Sequence, residues 1–234
     1  MVFNRPRFIF GVVTFWGLFL ITGLFSPAVK EQSSKNNFSL YWQQRASLFQ
    51  VLPDTPGEII FLGDSITDGC NWSEFFQDWR VKNRGISGDT TDGVLARLDE
   101  VLSSRPAKVF LMIGVNDLAL GRTPDYVINN IKLMIKRIKA SSPATEIYIQ
   151  SILPVNPAFK VFTNHVNKTQ EIKAINHQLQ RFAKRIGIEF IDLFTPMATA
   201  EGYLNPNYTN DGLHLTGKGY LVWKSIIEEK IRRD

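Results

Sequence analysis

Short apolar or β-branched runs alternate along the chain with longer stretches in which apolar residues recur every three to four positions. The short runs predict strands at Glu58–Leu62, Arg80–Asn83, Lys108–Ile113, Glu146–Ile152 and Ile188–Leu193. The longer stretches predict helices at Trp72–Trp79, Thr91–Ser104, Pro124–Ser141, Val166–Ile186 and Thr216–Arg232. This alternation predicts an α/β fold, a three-layer α/β/α sandwich in which helices cover both faces of a five-stranded parallel sheet.

The first 28 residues have a different pattern from the rest of the chain. Arg5 and Arg7 precede the apolar stretch Phe8–Phe25, which contains no charged residue. Its length fits either a signal peptide, cleaved after Ala28, or a membrane anchor, and the sequence leaves both open. Basic residues before such a segment stay on the cytoplasmic side, so the rest of the chain is expected to be extracytoplasmic, whether secreted, periplasmic or membrane-anchored. Residues 29–39 are polar and are interpreted as a linker to a single domain at 40–234.

Composition narrows the class of protein. A chain of 234 residues with 44% hydrophobic and 21% charged residues is typical of a globular enzyme with one core. Without residues 1–28, which hold two of the basic residues and none of the acidic ones, 25 basic residues face 22 acidic ones. These basic residues are spread along predicted helices, so no nucleic acid partner is expected. Cys70 is the only cysteine, which excludes an intrachain disulfide, and it is interpreted as a buried thiol.

Three separated residues supply the parts of a nucleophilic site. Ser65 directly follows the first predicted strand, where the side chain would lie at the carboxyl edge of the sheet. A serine hydroxyl needs a base within hydrogen-bond reach, and His214 has an acid three residues earlier, Asp211, that can orient its ring. The two other histidines, His165 and His177, are interpreted as surface or helix-packing residues.

Four sequence blocks contain these residues and resemble the motifs of one family. They read Gly63-Asp64-Ser65, Asn83-Arg84-Gly85-Ile86-Ser87-Gly88-Asp89, Gly114-Val115-Asn116-Asp117 and Asp211-Gly212-Leu213-His214. In this order they resemble the GDSL or SGNH hydrolases, and within that family the catalytic subunits of platelet-activating factor acetylhydrolase and bacterial acetylesterases. The resemblance implies a flavodoxin-like SGNH hydrolase domain with strand order 2-1-3-4-5.

The resemblance also implies an oxyanion hole. Its donors would be the backbone N–H groups of Ser65 and Gly88 and the side-chain amide of Asn116. A glycine suits a backbone that closely approaches an oxyanion, and Gly85 is the alternative glycine, interpreted as a turn residue. The other acids of the blocks are expected to brace loops: Asp64, Asp89 and Asp117. Asp68 is given no role.

These observations predict a serine esterase that hydrolyses short-chain, most simply acetyl, esters through an acyl-enzyme on Ser65. A lysophospholipase-like lipid acylhydrolase, an acyltransferase using the same site, and a non-catalytic membrane-tethered binding module remain alternatives. No cofactor or metal is expected, because the histidines and the cysteine lack ligand spacing. The expected partners are a small acyl ester, such as an acetylated glycan or a lipid, a membrane contacted through residues 8–25 if they are retained, and, by resemblance, a second copy in a homodimer. The loop Pro154–Lys168 is expected to border the substrate pocket.

Overall fold

A parallel sheet of five strands forms the centre of the computed structural model, which describes residues 38–232. Its strands are β1 (Ile59–Gly63), β2 (Val81–Gly85), β3 (Lys108–Met112), β4 (Glu146–Gln150) and β5 (Glu189–Ile191). The order across the sheet is β2-β1-β3-β4-β5, and every neighbouring pair is parallel. The predicted α/β fold and strand order are therefore confirmed.

Eleven helices flank the sheet in the described part of the chain. They are α1 (Leu40–Val51), α2 (Ser65–Asp68), α3 (Trp72–Phe76), α4 (Thr91–Ala96), α5 (Leu98–Ser103), α6 (Val115–Ala119), α7 (Pro124–Ser141), α8 (Thr163–Val166), α9 (Thr169–Ile186), α10 (Phe194–Met197) and α11 (Gly217–Arg232). None of the helices in residues 38–232 is long and apolar enough to cross a bilayer. The apolar stretch at residues 8–25, and with it the signal or anchor assignment, falls outside the described residues.

Aromatic packing joins the sheet to its helices. Phe61 and Phe110 are register partners on β1 and β3, and their rings stack with centroids 5.0 Å apart. Trp72 of α3 stacks on Phe61 at 4.0 Å and meets Trp223 of α11 edge-on at 4.9 Å. All four side chains are almost completely buried. Such large apolar rings contribute much of the core's stability and fix where α3 and α11 lie on the sheet.

The helix predicted at Thr91–Ser104 is wrong in one respect, because the chain forms two helices, α4 and α5, with a break at Arg97. The break has a physical cause. Arg97 leaves helical geometry so that its guanidinium turns inward, where it donates to the carbonyl oxygens of Gly63 (3.1 Å) and Arg84 (2.8 Å). A buried charge with these partners outweighs the loss of helical continuity.

Helix α1 was not among the helices predicted from the sequence. Trp42, Ala46 and Phe49 form its buried stripe, and Phe38 stacks on Trp42 with ring centroids 4.2 Å apart. Ser39 caps the helix by accepting from the N–H of Trp42 at 3.1 Å. The described chain is thus already packed at Phe38, near the end of the segment interpreted as a linker.

Candidate active site

Ser65 is placed by the sharp turn that follows β1. The strand ends at Gly63, and Asp64 caps the short helix α2 by accepting from the N–H of Ile66 at 3.0 Å. A side chain at Gly63 would overlap Thr67 and the carbonyl of Met112, so only glycine allows this close approach. The turn brings the Ser65 side chain to the carboxyl edge of the sheet.

The structure brings Ser65, His214 and Asp211 into one hydrogen-bonded chain. The Nε2 atom of His214 lies 2.9 Å from the Ser65 Oγ atom, although 149 positions separate the two residues. The Nδ1 atom of the same ring lies 2.7 Å from the Asp211 carboxylate. Because the carboxylate accepts from Nδ1–H, Nε2 is left without a hydrogen and can take the proton of the serine.

The loop Thr209–His214, called here the base loop, is held by local hydrogen bonds. One oxygen of Asp211 accepts from the backbone N–H groups of Leu213 (2.9 Å) and His214 (2.8 Å), while the other faces the His214 ring. Gly212 has a φ of +84° and packs closely on Asn156 and Phe159, so a side chain there would clash. Burial by itself raises the pKa of Asp211, but the hydrogen bonds from His214 and Leu213 outweigh it and the pKa is lowered. Asp211 is therefore a carboxylate at neutral pH.

The three predicted N–H donors follow neighbouring strands of the sheet. The backbone N–H groups of Ser65 and Gly88 donate to no other group in residues 38–232. Gly88 has a φ of +78°, and no atom lies within 4 Å of where its side chain would be, so the space on that side of the residue is open. The Asn116 amide Nδ2 donates to the carbonyl of Asp89 at 2.8 Å, which leaves its second hydrogen available. The predicted donors are thus on neighbouring loops, after β2, β1 and β3.

Asp89 anchors the loop Ile86–Thr90, called here the oxyanion loop, from beneath. Its carboxylate accepts from the Trp42 indole Nε1 at 3.0 Å and from Arg97 Nε at 2.8 Å. Both charged side chains are almost fully buried, at 1% and 2% exposure. Burial raises the pKa of Asp89, an effect that the charge and hydrogen bond of Arg97 oppose.

The other two acids of the motif blocks also brace backbone, as expected. Asp117 accepts from the N–H and hydroxyl of Thr91, at 2.9 and 2.7 Å, and pairs with Arg122 at 2.8 Å. Asp64 is completely buried, and burial, followed by the charges of Asp89 and Asp117, raises its pKa to about 7. All three acids of the motif blocks therefore accept from backbone N–H groups of the loops that they brace.

Asp68, which had no assigned role, joins three segments of the site. Its carboxylate accepts from the hydroxyls of Tyr41 (2.9 Å) and Ser87 (2.8 Å). Tyr41 is on α1 and Ser87 is on the oxyanion loop, so Asp68 connects both to the serine helix. Gly85 lies directly under that helix: a side chain there would overlap the backbone of Asp68. Its role is close packing at the end of β2, which corrects its interpretation as a turn residue.

His165 lies at the site, which corrects its assignment as a surface residue. Its Nε2 atom is 2.9 Å from the Asn116 Oδ1 atom, a contact across 49 positions of sequence. Phe162, in the same loop, meets the ring of His165 edge-on at 5.8 Å and the ring of His214 at 5.0 Å. The loop Pro154–Lys168 therefore does border the site. No spacing in the sequence pointed to His165, whose partner lies in α6, after β3.

Two further features complete the surroundings. Cys70 is buried, and burial raises the pKa of its thiol to about 12, so it is not a thiolate nucleophile at neutral pH.

A cavity of about 440 Å³ opens beside the oxyanion loop, between Gly88, the aromatic residues Phe38 and Trp42, and the loop that carries Leu120 and Arg122. It offers both apolar surface and polar side chains to a substrate.

A family model described as the GDSL-like lipase/acylhydrolase family matches residues 61–222, a range that contains every residue of the hydrogen-bonded chain and of the donor set. The match begins within β1 and ends within α11. Helix α1 and the residues before it lie outside the matched range.

Similar proteins carry hydrolase names. Platelet-activating factor acetylhydrolase IB subunit alpha1 of Bos taurus is 28% identical over 175 residues, covering 71% of this chain and 72% of its own length. The alpha2 subunit of Rattus norvegicus is 26% identical over 188 residues, covering 76% of this chain and 78% of its own length. Among solved structures, a GDSL-like lipase from Bacteroides thetaiotaomicron has a TM-score of 0.72 and 30% identity, covering 81% of this chain and 96% of that one.

Proposed function

The chain belongs to the GDSL-like lipase/acylhydrolase family, as its four motif blocks predict, and we propose that it is a serine esterase that hydrolyses short-chain, preferably acetyl, esters. Family membership makes it an ester hydrolase; the acyl length and the roles of single residues are the proposal. One observation supports it most: the continuous hydrogen-bonded chain from Asp211 through His214 to Ser65.

In the first half of the reaction, the Oγ atom of Ser65 bonds to the ester carbonyl carbon while its proton passes to Nε2 of His214. The carbonyl electrons move to the oxygen, and the resulting negative charge is stabilised by the N–H groups of Ser65 and Gly88 and by Asn116. Asp211 stabilises the imidazolium through its hydrogen bond to Nδ1. The intermediate collapses, the alcohol leaves with the proton from Nε2, and the acyl group remains on Ser65.

In the second half, water takes the place of the alcohol. His214 removes a proton from the water while the water oxygen bonds to the acyl carbon. The same three donors stabilise the second oxyanion. Collapse breaks the bond to the Ser65 Oγ atom, which takes back the proton from Nε2. The products are a carboxylic acid and the free enzyme.

The relatives' names support acetyl as the acyl group. Proteins named platelet-activating factor acetylhydrolase match this chain over more than two thirds of its length and of their own. Acetyl transfer to water is therefore the reaction to test first.

The test is hydrolysis of a 4-nitrophenyl ester series from acetate to palmitate by the purified full-length protein, beside the Ser65→Ala variant. We expect a rate that falls steeply beyond short acyl chains and a loss of about 10⁶-fold in kcat in the variant, since removing a serine nucleophile has an effect of this order. Unchanged turnover by the variant would contradict the assignment of Ser65.

A lipid acylhydrolase is the second candidate, favoured by the word lipase in the family description. A rate that rises toward palmitate would support it over an acetylesterase. An acyltransferase would instead transfer the acyl group to an added sugar or glycerol acceptor, which product analysis by mass spectrometry detects. A binding module without activity would fail to react with a fluorophosphonate probe.

The cellular location is part of the proposal. Arg5 and Arg7 followed by the uncharged stretch Phe8–Phe25 support export of the domain, with membrane contact through residues 8–25 if they are retained. Alkaline phosphatase fused after Asp234 and expressed in a bacterium should be active if the domain is exported and inactive if it stays in the cytoplasm. The mass of the purified protein tells whether the first 28 residues are removed. Sedimentation equilibrium tests the homodimer that the family resemblance implies.

A further inference from the structure

The contact between His165 and Asn116 has a defined direction. Asn116 Nδ2 donates to the Asp89 carbonyl at 2.8 Å, so its Oδ1 atom must be the one that faces His165 at 2.9 Å. The reverse orientation of the amide would put two oxygens, those of Asn116 and Asp89, against each other. An amide oxygen only accepts, so the Nε2 atom of His165 carries a hydrogen and donates it.

We propose that His165 is a positioning residue that holds Asn116 in the orientation in which its amide stabilises the oxyanion. This inference rests on the proposed function, because it assigns the residue that orders one donor of that reaction. His165 itself does not touch the reacting atoms; it acts through Asn116.

The physical need for such a residue follows from the side chain of asparagine. The last torsion of Asn is broad and nearly two-fold, so a single hydrogen bond from Nδ2 leaves the amide plane free to rotate. The second hydrogen bond, from His165 to Oδ1, fixes the plane and aims the remaining Nδ2 hydrogen. A donor that is already oriented costs no reorganisation when charge develops on the substrate. Drawing electron density from Oδ1 also makes the N–H groups of Asn116 better donors.

The surroundings of His165 keep this donor neutral. Burial, followed by the charge of His214, lowers the pKa of His165. A neutral ring with hydrogen on Nε2 can orient Asn116 without placing a second positive charge near the imidazolium that forms on His214. Phe162, from the same loop as His165, contacts the rings of both His165 and His214 edge-on.

The experiment is a double-mutant cycle on the full-length protein, with 4-nitrophenyl acetate as substrate. His165→Leu removes the donor, Asn116→Ala removes the oxyanion donor, and the double variant removes both. We expect Asn116→Ala to lower kcat by about 10²–10³-fold and His165→Leu by about 10-fold, with KM little changed in both. If His165 acts through Asn116, the double variant is no slower than Asn116→Ala alone. Multiplied losses would overturn the proposal.

Three further variants keep the result interpretable. His165→Gln retains a side-chain N–H donor and should recover a part of the lost kcat, whereas equal losses in the Gln and Leu variants would contradict the role of the hydrogen bond. His177→Leu is the matched control, because His177 is an exposed histidine on helix α9, and it should leave kcat unchanged. Ser65→Ala separates the two proposals. Activity that survives in this variant would contradict the proposed function. If Ser65→Ala is inactive but the losses of His165→Leu and Asn116→Ala multiply in the double variant, only the role of His165 is contradicted.

A transition-state analogue gives an independent readout. An alkyl trifluoromethyl ketone forms a tetrahedral adduct with a serine and places an oxyanion in the same hole. His165→Leu should raise the inhibition constant of this ketone by the same factor by which it lowers kcat/KM, because both depend on the orientation of the Asn116 amide. Inhibition that stays at the wild-type value while kcat/KM falls would show that the loss arises elsewhere.

Discussion

The oxyanion loop is held by side chains from distant parts of the chain, whereas the base loop is held mainly by hydrogen bonds among neighbours. Asp89 is anchored by Trp42, 47 positions away, and by Arg97, all of them buried. Asp211 instead accepts from backbone groups two and three positions ahead, and its side chain and that of His214 are 19% and 30% exposed.

This difference matches what each loop has to do. In the proposed mechanism the oxyanion donors act by staying in place, which a network of buried contacts favours. In the same mechanism His214 exchanges protons with substrate and water, so it needs access to solvent and only its ring orientation has to be fixed. Changes in the base loop should therefore affect the chemistry with little loss of stability, and changes under the oxyanion loop should affect stability as well.

Among changes in the two loops, the largest effect is expected for Asp211→Asn. The Asn Oδ1 atom can still accept from the backbone of Leu213 and His214, so the turn should survive. Its amide cannot accept from Nδ1–H, and the ring would adopt the tautomer with hydrogen on Nε2, which cannot take the serine proton. We expect kcat to fall by about 10⁴-fold, the size of this effect in a serine protease, with the melting temperature nearly unchanged. An activity assay measures kcat, and a thermal melt measures the melting temperature. A large loss of stability would contradict the proposed difference between the two loops.

The second prediction concerns the pH dependence of stability. Asp64, beside Ser65, and Asp211, in the base loop, have pKa values shifted in opposite directions. The pKa of Asp64 is raised from 3.8 to about 7, so the folded state binds its proton more tightly and the stabilisation is lost as pH rises from about 4 through 7. The pKa of Asp211 is lowered, so its stabilisation is present above 3.8 and is lost as pH falls through the lowered value. Asp64→Asn should flatten the decline of the melting temperature between about pH 5 and 7.5.

Melting curves of the wild-type protein and of both Asn variants across pH separate these contributions. Asp211→Asn should flatten only the acid side of the curve, because the Asp211 carboxylate titrates there. If Asp64→Asn and the wild-type protein have parallel curves between about pH 5 and 7.5, the buried acid does not titrate there.

The smallest effect is expected for Trp42→Phe. The change removes the indole donor to Asp89 and keeps most of the ring packing, so we expect a loss of about 1–2 kcal/mol in the free energy of unfolding and less than a tenfold fall in kcat. Trp79→Phe is the control, because Trp79 is 64% exposed. Denaturant unfolding measures both variants. Equal stability of the two would mean that α1 does not anchor the oxyanion loop.

The sheet was predictable because buried parallel strands are short, continuous apolar runs that differ from the helices between them. The strand β2, with Lys82, Asn83 and Arg84 in its middle, shows that this signal weakens at the edge of a sheet, where polar side chains are tolerated. Helix α1 could have been found, since Trp42, Ala46 and Phe49 have helical spacing, but exposed Leu40 and Val51 blur that stripe.

The site was predictable where its order is local or belongs to a family motif. Asp211 and His214 are three positions apart, and Ser65, Gly88 and Asn116 lie in motif blocks. The contacts of His165 with Asn116, and of Asp68 with Tyr41, join segments 49 and 27 positions apart. Such pairs depend on which loops the sheet brings together, and neither residue has a neighbour in sequence that would indicate its partner.

The two ends of the described chain lie on opposite sides of the domain, which matters for attaching it to a surface. Phe38 lines the same cavity as Gly88, so a bead, dye or reporter protein linked just ahead of Phe38 would sit at the mouth of the site and obstruct large esters. Helix α11 runs away from His214, and near its end the carbonyl of Lys230 accepts from Lys108 at the start of β3. A handle placed after Arg232 would hold the domain with its active face toward the solution, the orientation suited to an immobilised catalyst.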